Sequence, residues 1–212
     1  MVEKFLDGAY TLEEPQQTKD LYRRWASTYD AEINDNGYES PQRTAHALKT
    51  CYSSRSTSIE TNIETLVLDI GCGTGVSGYF LQQQGFTQLI GSDFSPEMLA
   101  IAESKNIYKD LFLADLKDPF KFLSAPPAIV TAVGVMAPGH AKASLINEVI
   151  EIMPQAGLFG FSLNDHTMSD PEYLEVINNL VQQRVVRIRW QEYGDHLPKI
   201  ELNSLIVVLE KL

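Results

Sequence analysis

A chain of 212 residues, 44% apolar and 21% charged, has an ordinary globular composition and enough length to bury a sizeable core as one domain with a small extension. Its 17 Lys and Arg stand against 28 Asp and Glu, a net charge of −11 that repels phosphate backbones and anionic headgroups and so argues against nucleic acid and membrane as partners. Arg184, Arg187 and Arg189 alternate with apolar residues and read as the solvated face of a strand rather than a binding patch.

The two cysteines, Cys51 and Cys72, do not form a disulfide framework, and free thiols fit a reducing compartment. No basic-apolar leader opens the chain and no apolar run approaches the ~18 residues of a membrane span. A cytoplasmic location is the expectation.

Residues 1–17 show no period. Over 18–30, Leu21, Tyr22, Trp25, Ala26 and Tyr29 fall on one helical stripe, which serves either as a core-facing surface or as an aromatic lid over a ligand. Asn34 to Gly37 is a turn cluster. Ser40-Pro41 then opens a helix, with Ser40 as cap and proline in the first turn, running to about Tyr52. The polar stretch 53–58 links this N-terminal extension (1–58) to the core (59–212).

From there strands and helices alternate. Strands are expected over 65–70, 89–92, 108–114, 128–133 and 157–163, with helices over 76–84, from Ser95-Pro96, over 141–153, and from Asp170-Pro171 to about 183. Strands over 185–193 and 202–209, joined by a loop at 194–199, close the chain. The pattern predicts an α/β, Rossmann-like, seven-stranded, mainly parallel sheet with an antiparallel C-terminal strand, helices on both faces and an N-terminal helical lid.

The central motif is Val67-Leu-Asp-Ile-Gly-Cys-Gly-Thr-Gly-Val-Ser-Gly78: a buried strand, an acid at its end, and Gly71, Gly73 and Gly75 at alternate positions before a helix. Such glycines let backbone turn tightly against a ligand, and the helix N-terminus aims free N–H groups at it. Gly73 to Gly78 also satisfies G-x-G-x-x-G, so the glycines alone fit NAD as well as other nucleotides.

The acids discriminate. Asp69, Asp93 and Asp115 close successive strands, where ligands of such sheets bind. Asp93 follows the glycines at the spacing, roughly 20 residues, that reaches a ribose diol. Asp115 would meet an adenine amino group, and Phe94 and Leu116 could sandwich the ring. Asp69 can orient the loop or attract a cationic group, which suits adenosine carrying an ammonium better than a pyrophosphate.

Val67-Leu-Asp-Ile-Gly-Cys-Gly-Thr-Gly75, Gly91-Ser-Asp-Phe-Ser-Pro-Glu-Met-Leu99 and Leu113-Ala-Asp-Leu116 resemble the successive motifs of class I S-adenosylmethionine-dependent methyltransferases. Tyr22 to Asp30 followed by Gly37-Tyr-Glu-Ser-Pro41 is similar to the Williams–Beuren syndrome region methyltransferase group. The resemblance implies that Asp69, Gly71, Gly73 and Gly75 hold the methionine end of S-adenosylmethionine. It assigns Asp93 to the ribose, Phe94 to the adenine, Asp115 to the amino group, and Tyr22, Trp25 and Tyr29 to a cover over the cofactor, with Cys72, Met98, Ala114, Leu116 and Val133 as further cofactor-binding residues. The family's fourth motif begins with an acid where this chain has Ala128.

Methyl transfer from a sulfonium is an in-line displacement for which positioning and dehydration can suffice. If a base is used, His140 and His166 are best placed, with Asn164 and Asp165 as polar anchors; His46 and His196 carry less signal. No metal-ligand spacing occurs. The expected acceptor is a small molecule. The alternatives are a non-catalytic protein that binds S-adenosylmethionine or S-adenosylhomocysteine, and an NAD-dependent oxidoreductase resting on Gly73 to Gly78 alone.

Overall fold

Short apolar runs that would be exposed alone are buried here as the interior of one sheet. The structure, a computed structural model, describes residues 5, 15–54, 65–114, 120–137 and 140–212. In chain order it contains α1 (Pro15–Trp25), α2 (Tyr29–Asp35), α3 (Ser40–Ser53), β1 (Val67–Ile70), α4 (Val76–Gln83), β2 (Leu89–Asp93), α5 (Pro96–Ser104), β3 (Asp110–Leu113), β4 (Ile129–Ala132), α6 (Ser144–Ile152), β5 (Leu158–Asn164), α7 (Asp165–Met168), α8 (Pro171–Gln182), β6 (Val186–Leu197), a 3₁₀ turn (Pro198–Ile200) and β7 (Leu202–Lys211).

The seven strands lie in the order β3-β2-β1-β4-β5-β7-β6. Strands β1 to β5 pair in parallel, and β7 slots antiparallel between β5 and β6. The order reverses between β1 and β4, so the carboxyl ends of β1, β2 and β4 flank a crevice at the topological switch point. Strands β1, β2, β4 and β5 are buried throughout, which explains why their sequences run apolar rather than alternating.

One face of the sheet is covered by α6 and α8 through Ile146, Val149, Ile150, Tyr173 and Ile177. The other is covered by α3 and α4, with Ala45, Leu48, Cys51 and Leu81 meeting Val67, Leu89, Ile129 and Leu158. Leu48 seats directly on Gly160, where an added Cβ would lie 2.6 Å from its Cγ. Burying such a leucine contributes roughly 1.5–3 kcal/mol. Helix α3 is therefore a layer of the core.

The stripe over 18–30 is two helices rather than one. Ala26 N–H closes the last turn of α1 on Tyr22, Thr28 N–H turns back to Trp25, and the Thr28 hydroxyl also reaches that carbonyl at 3.4 Å. Local hydroxyl bonding of this kind competes with helix continuation. Ser40 lies inside α3, whose cap is Glu39; the Ser40 hydroxyl goes to His196 and Ser204 instead. The loop expected at 194–199 is mostly strand, since β6 continues to Leu197 through two register shifts. No helix stands between β3 and β4 among the described residues, which interrupts the strict alternation.

Arg187 and Arg189 both pair with Glu210 on the neighbouring β7, Arg187 at 2.9 Å, so these cations serve a cross-strand contact. Cys51 and Cys72 are both buried and unbridged. No described helix is long and apolar enough to cross a membrane, and no described cluster of His, Cys, Asp or Glu could hold a metal ion.

Candidate active site

The turn after β1 adopts left-handed backbone at Gly71 (φ 61°), Gly73 (φ 53°) and Gly75 (φ 92°). At Gly71 an added Cβ would meet Val135 at 2.4 Å, whereas Gly73 faces open space within 4 Å. Packing thus excludes a side chain at the first position, whereas at the second only the left-handed backbone favours glycine.

Asp93 fixes the turn. Its Oδ2 accepts from Gly73 N–H at 2.9 Å and its Oδ1 from Ser95 N–H at 2.8 Å, tying the ends of β1 and β2 together. A carboxylate retains lone pairs after two such bonds. Burial lifts its carboxyl to about 6 against the pull of those N–H groups.

Asp69 is fully buried beneath the turn. Its Oδ2 accepts from Ser77 Oγ at 2.5 Å and from Tyr108 OH at 2.6 Å, while Oδ1 has no partner. Burial raises this carboxyl to about 7, outweighing the two hydroxyls that favour its charge. Of the two roles expected for Asp69, its placement serves loop orientation. The Cys72 thiol is pushed well up by burial, then by Asp69 and Asp93, so it is held neutral.

Two cavities open on this edge. The first runs along Gly71, Cys72, Gly73, Thr74, Val76, Ser77 and Val133 and is walled by Tyr29 and Tyr38. The second, the larger, shares Tyr29 and Tyr38 and adds Tyr22, Trp25, Gly134, His140, Asn164 and His196. The shared tyrosines are the partition.

The aromatic helix divides its labour. Trp25 is buried among Phe5, Leu21, Ile33, Leu197 and Leu202 and anchors α1. Tyr22 is half-buried and sets its ring edge-on to Phe94 at 5.8 Å and to His140 at 5.6 Å, with its hydroxyl 3.2 Å from His140 Nε2. Tyr29 packs on Trp25 at 4.7 Å. Asp30 clasps the cover to the turn, accepting from Thr74 Oγ1 at 2.5 Å and pairing with Lys105.

Phe94 is half-buried at the end of β2, Met98 is buried behind it on α5, and Ala114 N–H donates to Asp93 O at 2.8 Å. Asp115 and Leu116 lie outside the described residues. Ala128 sits at the amino end of β4, the edge opposite the glycine turn, so the absent acid removes nothing from either cavity.

His140 lines the larger cavity; His166 is exposed and lines neither. His196, which carried little signal in the sequence, lines the larger cavity with His140. It is buried, its Nδ1 lies 2.7 Å from Ser40 Oγ, and burial followed by the Arg43 charge lowers its pKa to about 4. Reading 194–199 as a loop hid it. The bulged register of β6 is what turns His196 inward, and periodicity does not reveal bulges.

Residues 67–157 match the family described as a methyltransferase domain. The chain is 30% identical over 143 residues to human methyltransferase-like protein 27, covering 67% of this chain and 56% of that protein. It is 43% identical over 67 residues to the 18S rRNA (guanine(1575)-N(7))-methyltransferase of Saccharomyces cerevisiae, covering 31% of this chain and 24% of that protein. The chain thus spans about half the length of the first relative and a quarter of the second.

Its fold matches the magnesium protoporphyrin IX methyltransferase of Synechocystis PCC 6803 with bound S-adenosylmethionine (TM-score 0.66, 16% identity, 95% of this chain and 99% of that one). Residues 67–157 are therefore a methyltransferase domain, in the fold of the class I S-adenosylmethionine-dependent methyltransferases. Within that class the chain is similar to the methyltransferase-like protein 27 group. Since relatives include rRNA methyltransferases, kinship does not support excluding nucleic acid as acceptor.

Proposed function

We propose that this chain transfers the methyl group of S-adenosylmethionine to a small-molecule acceptor, with cofactor in the cavity along Gly71–Ser77 and acceptor in the aromatic cavity beside it. The observation that carries the reading is the pair of cavities meeting at Tyr29 and Tyr38. The open space before Gly73 leaves room for a ligand against the turn.

S-adenosylmethionine brings a methyl group already activated on sulfonium. Asp93, which holds the turn through Gly73, has lone pairs to take ribose hydroxyls. Asp115 and Leu116 are proposed for the adenine with Phe94, Met98, Ala114 and Val133. Tyr22 and Tyr29 cover the site, Trp25 anchors that cover, and their rings favour a sulfonium by cation–π attraction. Helices α1 and α2 act as the lid within the first 58 residues, while α3 belongs to the sheet layer. Their closure excludes water from the displacement.

His140 is the candidate base, held by Tyr22; the exposed His166 is the weaker one. A small acceptor is favoured because its cavity lies under aromatic helices, has no Lys or Arg among the described residues that line it, and belongs to a chain of net charge −11. Incubation with methyl-labelled S-adenosylmethionine and either a metabolite extract or total RNA tests this. Label in the small-molecule fraction is expected, and label confined to RNA overturns it.

A further inference from the structure

The aromatic cavity holds two nearly buried polar side chains, His196 and Asn164, each hydrogen-bonded from behind. Arg43 can only donate, and its Nη1 lies 3.2 Å from Ser204 Oγ. Having accepted there, the Ser204 hydroxyl has Ser40 Oγ at 2.8 Å to donate to. Ser40 Oγ in turn lies 2.7 Å from His196 Nδ1, so the Ser40 proton can go to that nitrogen. A donor relay from Arg43 through two serines to the ring satisfies all three contacts.

With Nδ1 accepting, the neutral imidazole carries its proton on Nε2. No described residue bonds to that nitrogen, although His196 is 3% exposed and lines the cavity. Burial keeps the ring neutral across the physiological range. Asn164 is held from behind too: its Oδ1 accepts from Thr167 N–H at 2.9 Å, capping α7, while the Thr167 hydroxyl donates to Met136 O at 2.7 Å. That leaves its NH₂ group as a second donor, on a side chain 7% exposed at the same cavity.

We propose that the cavity selects its acceptor by an oxygen: a planar small molecule whose carboxylate or carbonyl is held between His196 Nε2–H and Asn164 Nδ2–H, with Tyr22, Tyr29 and Tyr38 against its plane. This rests on assigning the cavity to the acceptor. It makes His196 a binding donor instead of a base. The lining residues include no Asp or Glu to receive a cationic amine, and an acceptor lacking the oxygen leaves two N–H groups unmet.

The test uses the full chain saturated with S-adenosylhomocysteine. Long-range ¹H–¹⁵N correlation should show His196 as the neutral Nε2–H tautomer at neutral pH. Benzoate, as the carboxylate probe, or acetophenone, as the carbonyl probe, should shift that nitrogen, and benzylamine should not. Which of the two binds more tightly identifies the oxygen. Asn164→Asp keeps the α7 cap but replaces the donor, and should weaken benzoate at least about tenfold while leaving S-adenosylhomocysteine affinity in place.

An Nδ1–H or protonated His196, preference for benzylamine, undiminished benzoate binding by Asn164→Asp, or no response to any probe overturns the proposal. Failure of S-adenosylhomocysteine itself to bind would instead overturn the methyltransferase reading.

Discussion

The Tyr108 hydroxyl donates to Asp69 Oδ2 at 2.6 Å, fastening the segment ahead of β3 to the end of β1 beneath the glycine turn. Asp69 is buried with one oxygen unpartnered, and its carboxyl is lifted to about 7. The folded state therefore keeps a proton that the unfolded chain, at about 3.8, releases. Stability from this group is fully present below about pH 4 and declines as pH rises to about 7. Asp93, lifted to about 6, adds to the lower part of that decline. Asp69→Asn should flatten the slope of urea midpoints between about pH 4 and about pH 7. A slope equal to that of the wild type would show that Asp69 does not titrate there.

Gly78, the third glycine of the G-x-G-x-x-G pattern, serves the same contact. An added Cβ would lie 2.3 Å from the Tyr108 hydroxyl. Gly78→Ala should destabilise by about 1–3 kcal/mol through overpacking, and Tyr108→Phe by about 1–3 kcal/mol through loss of a donor to a buried carboxyl. Because both act on one contact, the double variant should lose less than the sum of the two. Full additivity in denaturant midpoints would separate them.

The Asp30 clasp joins α2 to the glycine turn through Thr74 and to α5 through Lys105. Both ionic partners are partly exposed, so the pair contributes about 0–1 kcal/mol to global stability. Its effect should be local. In Asp30→Ala, hydrogen exchange should quicken over 15–35 with the sheet unchanged. Unchanged protection over 15–35 would mean that aromatic packing alone holds the cover.

Much of this arrangement was legible in the sequence. Strands buried on both faces announce themselves as apolar runs, and Ser95-Pro96 and Asp170-Pro171 mark helix starts by capping chemistry; both side chains do cap. The glycine turn and the acid at the end of β2 were equally plain, since the left-handed backbone that Gly71, Gly73 and Gly75 adopt in succession favours glycine. What escaped was set by tertiary contact. Ser40 has the composition of a cap, yet a buried bond to His196 claims its hydroxyl. His196 looked like a loop residue because the strand pairing that buries it depends on β7 lying between β5 and β6. Tyr108 lies outside the quoted motifs and Ser77 fills only a variable place in the central one, and their role exists only because Asp69 is buried between them.

The central claim, that Asp93 and the turn it holds form the seat of the methyl donor, is tested most directly by calorimetric titration of wild type and Asp93→Asn with S-adenosylhomocysteine. The substitution keeps the shape of the side chain but sets an amide N–H against either Gly73 N–H or Ser95 N–H and removes the charge facing the ribose. Wild type should bind, and the variant should bind at least about tenfold more weakly, the size of one charge-assisted hydrogen bond lost. Equal affinity in the two proteins, or no binding to wild type at hundreds of micromolar, would contradict it.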